Sequence, residues 1–90
     1  MMTLYLVDRD IPGVTMDQLV ATQRAVIAVS QRFTARGEYV RYIRSTYLPD
    51  ESRCMCWFEA PSAEVVAEVN EVAKVPFERI LEVIEFIPEA

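Results

Sequence analysis

The sequence predicts an α+β domain whose elements run strand, helix, strand, strand, helix, strand. Three observations carry that prediction. Segments rich in aromatic and β-branched residues fall near 3–10, 39–48, 53–60 and 79–87, and two segments between them repeat apolar residues at spacings of three and four. Proline, glycine or short polar runs separate the segments. At 90 residues the chain has room for these six elements but not for a second domain, so residues 1–90 are expected to form one.

Composition narrows the class. With 52% hydrophobic residues, 26% charged residues and only two glycines, the chain reads as a compact globule, not a disordered tail. The formal charge of -5 argues against non-specific binding to nucleic acid or to an anionic membrane, both of which need clustered Lys and Arg. Arg41, Arg44 and Arg53 could make a small positive patch, but the ordinary reading is that they are solvated or paired. The apolar run at the N-terminus is too short, and too poor in positive charge, for a signal peptide or membrane span, so a cytoplasmic address is expected.

Residues 3–10 make the first strand, which Ile11-Pro12-Gly13 ends with turn chemistry. Thr15 then N-caps a helix, with Gln18 as its capping-box partner and Asp17 near the positive end of the dipole. Leu19, Thr22, Val26, Val29 and Phe33 form the stripe that faces the sheet, with Gln23 at its edge. The helix stops near Gly37, where Arg32 and Arg36 complement its negative end.

Residues 39–48 and 53–60 form a hairpin around Pro49-Asp50-Glu51-Ser52. Setting Leu48 opposite Arg53 places Arg41, Ile43, Ser45 and Tyr47 on one face with Cys54, Cys56 and Phe58. Tyr42, Arg44, Thr46 and Leu48 then share the other face with Arg53, Met55, Trp57 and Glu59. Ser62 N-caps the second helix, whose stripe is Val65, Val66, Val69, Val72 and Ala73 and which closes before Pro76. Residues 79–87 form the last strand.

This order is the ferredoxin-like βαββαβ arrangement, a four-stranded antiparallel sheet with two helices on one face. Large apolar groups on both hairpin faces call for a second covering layer, and a second copy of the chain packed sheet to sheet is the partner expected. Cys54 and Cys56 point the same way from one strand, about 7 Å apart along the chain, and are read as small buried hydrophobes without a bond between them. The cluster Asp8-Arg9-Asp10 reads first as a strand terminator, the alternatives being that it aims the loop toward the helix or fixes a ligand's polar end.

Four segments carry a family resemblance: Leu4 to Gly13, Val40 to Ser45, Cys56 to Pro61 and Val75 to Ile80. Through them the chain resembles the small actinobacterial nickel-binding proteins of ferredoxin-like fold, a family otherwise catalogued as a domain of unknown function. The resemblance implies a dimeric subunit and, in some members, nickel held by histidine and acidic ligands. A family histidine would be looked for on the second helix, where this chain has Val69-Asn70 and where it contains no histidine anywhere.

The functional expectation is a small-molecule-binding dimer, whose catalytic form would be a cofactor-independent isomerase, cyclase or monooxygenase acting on an apolar organic substrate. The alternatives are the nickel binding that the resemblance implies and a non-catalytic interaction module. For catalysis the candidates are Glu59 as base, Arg44 as stabiliser of a developing enolate or carboxylate, and Tyr47. Tyr5, Tyr42 and Trp57 are the candidate ligand-binding residues. No residue is assigned to a metal, and no resident cofactor is expected beyond the nickel of the family. No phosphate cradle opens the first helix, so nucleotide binding is not expected.

Overall fold

The computed structural model describes residues 2–89. It runs β1 (Thr3–Asp10), α1 (Met16–Ala35), β2 (Arg41–Leu48), β3 (Arg53–Ala60), α2 (Ala63–Val72) and β4 (Arg79–Val83). The strands form a four-stranded sheet in the order β2-β3-β1-β4, with every neighbouring pair antiparallel. This is the ferredoxin-like plan expected from the element order.

Both helices pack on one sheet face. Val26, Val29 and Phe33 of α1 and Val66 and Val69 of α2 close over Tyr5, Val7, Cys54, Cys56 and Phe58. The capping box of α1 is complete, since Gln18 N–H donates to Thr15 Oγ1 at 3.1 Å and Thr15 N–H donates to Gln18 Oε1 at 2.8 Å. Gly37 ends α1 at a φ of 95°, a conformation that strains any side chain bearing a Cβ. Among the described residues, no helix is long and apolar enough to cross a membrane.

Three details depart from the expectation. The first is a β-bulge between Tyr42 and Arg44, which puts Tyr42 opposite Phe58 and Arg41 opposite Glu59. Tyr42 thus turns to the helix side and packs edge-on against Phe58, ring centroids 5.6 Å apart, while Arg41 turns to the open side. The expected hairpin register holds from Leu48 back to Arg44, with Leu48 opposite Arg53, and fails beyond the extra residue.

The second concerns the last strand, which stops at Val83 instead of residue 87. Val83 pairs with Leu4, and β1 begins at Thr3, so the chain runs out of partner strand. Ile84, Phe86 and Ile87 are left 77%, 90% and 77% exposed. The third is on α2, where Val72 is exposed and Asn70 is fully buried in its stead.

The open sheet face carries Leu4, Leu6, Met55, Trp57 and Leu81 between two charged ends. At one end Asp8, 2% exposed, accepts from Arg53 and from Arg79 Nε at 3.1 Å. Burial raises the pKa of Asp8, but these two guanidinium groups overcome it and hold the carboxyl below its usual value. At the other end Arg41 pairs with Glu59 and Arg44 with Glu85. The three arginines considered for a positive patch are therefore each paired with an acid, Arg53 with Asp8 and Glu78.

Candidate functional site

Period two along β1 sends Tyr5, Val7 and Arg9 to the helix side. The first two fill the core, and Arg9 lands at its edge with 1% of its surface exposed. Its Nη2 donates to Asn70 Oδ1 at 2.5 Å and its Nη1 to the Pro76 carbonyl at 3.1 Å. Asn70 is held by its own bond, Nδ2 to the Val66 carbonyl at 2.7 Å. Arg9 Nε is buried and has no partner. Among the described residues no acidic side chain lies within ion-pair distance of Arg9.

Beside Arg9 a cavity of about 230 Å³ opens between the N-terminal half of α1 and the sheet. Its helix wall is Leu19, Thr22, Gln23 and Val26, and its sheet wall is Ser45, Tyr47, Cys54 and Cys56. Val14, Met16 and Val20 sit at its mouth side, and Val75 and Pro76 close the end near Arg9. The lining is chiefly apolar, with Thr22 and Gln23 on the helix wall and Ser45 on the sheet wall among its few polar groups.

Gln23 and Ser45 belong to a thread. Gln23 Nε2 donates to Tyr42 Oη at 2.9 Å, Tyr42 Oη meets Ser45 Oγ at 2.6 Å, and Ser45 Oγ meets Cys56 Sγ at 3.0 Å. Cys54 Sγ follows at 3.9 Å. Both thiols are free and buried, as the strand spacing implied. The Cys56 thiol is driven below its ordinary value by the hydrogen bond from Cys54, which with the charge of Arg9 outweighs burial. The Cys54 thiol is pushed up by the same contact and by burial.

The six residues singled out from the sequence do not converge. Tyr47 borders the cavity, and Tyr42 belongs to the thread while also lining a second groove, of about 490 Å³, with Ile27, Thr34 and Tyr39. Tyr5 is a core residue, 7% exposed. Arg44, Trp57 and Glu59 stand on the opposite sheet face, where the Arg44 guanidinium lies 4.8 Å over the Trp57 ring and Tyr39 Oη donates to Glu59 at 2.9 Å. A substrate touching Tyr47 is thus separated from Arg44 and Glu59 by the sheet itself. The sequence reading missed Ser45 and Asn70 as site residues and gave Arg9 only as part of a strand-end cluster that could fix a ligand's polar end, although the alternation Tyr5, Val7, Arg9 already sends it inward.

As donors for a metal the groups are sparse. Among the described residues no three Cys, Asp or Glu side chains come together. The two thiols are the soft donors present, and they share their surroundings with the fixed positive charge of Arg9.

The model of a family described as nickel responsive protein SCO4226-like matches residues 5–83. Among solved structures, the chain is similar to the one titled crystal structure analysis of SCO4226 from Streptomyces coelicolor A3(2). That likeness has 28% sequence identity and a TM-score of 0.80, and it covers 93% of this chain and 99% of the other. No curated protein matches. The family resemblance and the fold read from the sequence are both borne out.

Proposed function

The chain belongs to the SCO4226-like family of nickel responsive proteins, and from that premise we propose that it is a small-molecule-binding subunit. Its ligand is a compact, mainly apolar organic molecule held between α1 and the sheet. The observation that supports this reading is the cavity, chiefly apolar in its lining with a few polar groups, Arg9, Gln23 and Ser45 among them. At about 230 Å³ it falls just under the roughly 300–1,000 Å³ of drug-sized sites, so the molecule is small.

The donor set does not fit nickel. A divalent ion at Cys54 and Cys56 would lack a third protein donor and would meet the buried guanidinium of Arg9 at short range. On this reading the side chains of one subunit recognise an organic partner; the family's description favours instead the nickel alternative raised from the sequence. The open sheet face, with Leu4, Leu6, Met55, Trp57 and Leu81, is the surface on which a second copy packs.

Thermal unfolding against a panel of compact aromatic and alicyclic molecules tests the reading. A ligand at a hundred times its Kd stabilises by about 2.7 kcal/mol, which raises Tm by roughly 10–20 °C in a domain of this size. Thr22→Trp fills the cavity from its helix wall and is expected to abolish the shift. An equal shift in the variant, or none with any compound in the wild type, would sink the proposal.

A further inference from the structure

Arg9 carries a charge that no carboxylate of the described residues answers. Its two bonded acceptors, Asn70 Oδ1 and the Pro76 carbonyl, are neutral. They take two of the five N–H groups of the guanidinium, and Nε is buried without a partner. The acids nearest in sequence are placed elsewhere. Asp8 pairs with Arg53 and Arg79 on the open sheet face, and Asp10 borders a neighbouring surface groove with Pro12 and Gln18. A guanidinium keeps its proton, so the charge is permanent, and burying it without an anion is strongly unfavourable.

Arg9 is also part of the lining of the cavity between α1 and the sheet, at the end that Val75 and Pro76 close. No Asp or Glu borders that cavity. One permanent positive charge therefore stands at one end of a chiefly apolar space. Arg9 is 1% exposed, so an anion set against it is withdrawn from water, where its attraction to the guanidinium is far stronger than at a surface. A carboxylate matches the planar fork of a guanidinium with its two oxygens. A single negative charge balances the site, whereas a dianion such as a phosphate monoester leaves one charge buried and unanswered.

We propose that the cavity binds small organic monocarboxylates, with the carboxylate against Arg9 and a compact apolar body between Leu19 and Val26 of α1 and Tyr47 of β2. This deepens the ligand-binding reading, on which it rests, by naming the chemical class that the same cavity takes. Asn70 and the Pro76 carbonyl hold the guanidinium in place before a ligand arrives, and Asn70 is itself fixed to the Val66 carbonyl. Little further ordering is therefore needed at the charged end when the acid binds. The rest of the lining sets the second half of the specificity. An acid with a strongly polar chain would leave polar groups unpaired against Leu19 and Val26, so the apolar acids are the ones retained.

Benzoate and its neutral isostere benzamide are the probes, and calorimetric titration of the full chain at neutral pH, where benzoate is ionised, is the readout. The wild type is expected to bind benzoate about tenfold to a hundredfold tighter than benzamide, the span of a charge-assisted hydrogen bond. Arg9→Met, Asn70→Leu removes the charge together with its acceptor, so the chain keeps its fold, and the two Kd values should come within about threefold of each other. Thr22→Trp, which fills the cavity, should lose benzoate binding, and with the wild-type ratio it decides the matter if the double variant does not fold. Equal affinity for the two probes in the wild type, or tighter binding of benzamide, overturns the proposal and leaves the cavity reading standing. A benzoate preference that survives in the double variant, or benzoate binding that survives in Thr22→Trp, places the anion elsewhere and overturns it too. Binding of neither probe, while another compound of the thermal panel raises Tm, defeats the carboxylate class alone, and no binding by any compound defeats both readings.

Discussion

Phe58→Ala is expected to lower stability by about 3–5 kcal/mol, the largest loss of any single substitution considered for this chain. Phe58 is fully buried in β3, with Tyr5 and Tyr42 as its cross-strand neighbours and the Tyr42 ring edge-on at 5.6 Å. It therefore lies where the central strands, the bulged edge strand and the helices meet. Truncation removes the transfer energy of a whole ring and leaves a void that four elements cannot all collapse to fill. Domains of this size hold only about 5–15 kcal/mol in total, so Tm should drop by roughly 15–30 °C. Urea unfolding would show the loss as a lower midpoint at unchanged slope. A loss under about 1.5 kcal/mol would mean that the core is not centred on this ring.

Asn70→Leu carries the second large effect, through a different mechanism. Leucine resembles asparagine in size, so the change leaves packing nearly intact but withdraws the acceptor from Arg9 Nη2. A buried charged donor then has no partner, at a cost of about 2–4 kcal/mol. Removing both partners should be far cheaper. In the double variant Arg9→Met, Asn70→Leu no buried charge remains, and stability is expected within about 1 kcal/mol of the wild type. The double-mutant cycle therefore predicts a large favourable coupling. If the two losses simply add, Arg9 draws nothing from Asn70 and the buried site is misread.

These two residues also show how far the sequence can be read. Phe58 was legible, since alternation with Cys54 and Cys56 on a strand places it inward without reference to any neighbour. The capping box at Thr15 and Gln18 was legible because it is local chemistry over four residues. Tyr42 was misplaced because a bulge is an extra residue with no composition of its own, and one such residue reverses the faces of everything beyond it. The end of β4 was misread for a related reason. Ile84 to Ile87 has strand composition, but where a strand ends depends on how far its partner extends.

The site was less legible than the fold. Arg44, Trp57 and Glu59 were grouped with Tyr47 by residue type, although their strand parity already put them on the opposite face. Arg9 was read as a strand terminator inside a charged run, yet its parity with Tyr5 and Val7 assigned it to the core. Charge pulled the reading toward solvent, and parity was the better guide. Asn70 drew notice only as a position of interest on α2. That it completes a buried network with Arg9, 61 residues away in the chain, is visible only once β1 and α2 are brought together. Ser45 and Gln23 likewise gain their roles from Tyr42, which the bulge turned toward them.

Native mass spectrometry of the untagged chain, as purified from cells and again after nickel is added, tests the central claim most directly. One spectrum reports subunit number, retained organic mass and bound metal, and a histidine tag must be absent because it binds nickel itself. The account predicts a dimer that retains a small organic mass, released on unfolding and missing in Thr22→Trp, with no stoichiometric nickel. A chain that takes up stoichiometric nickel and carries no organic mass would contradict it.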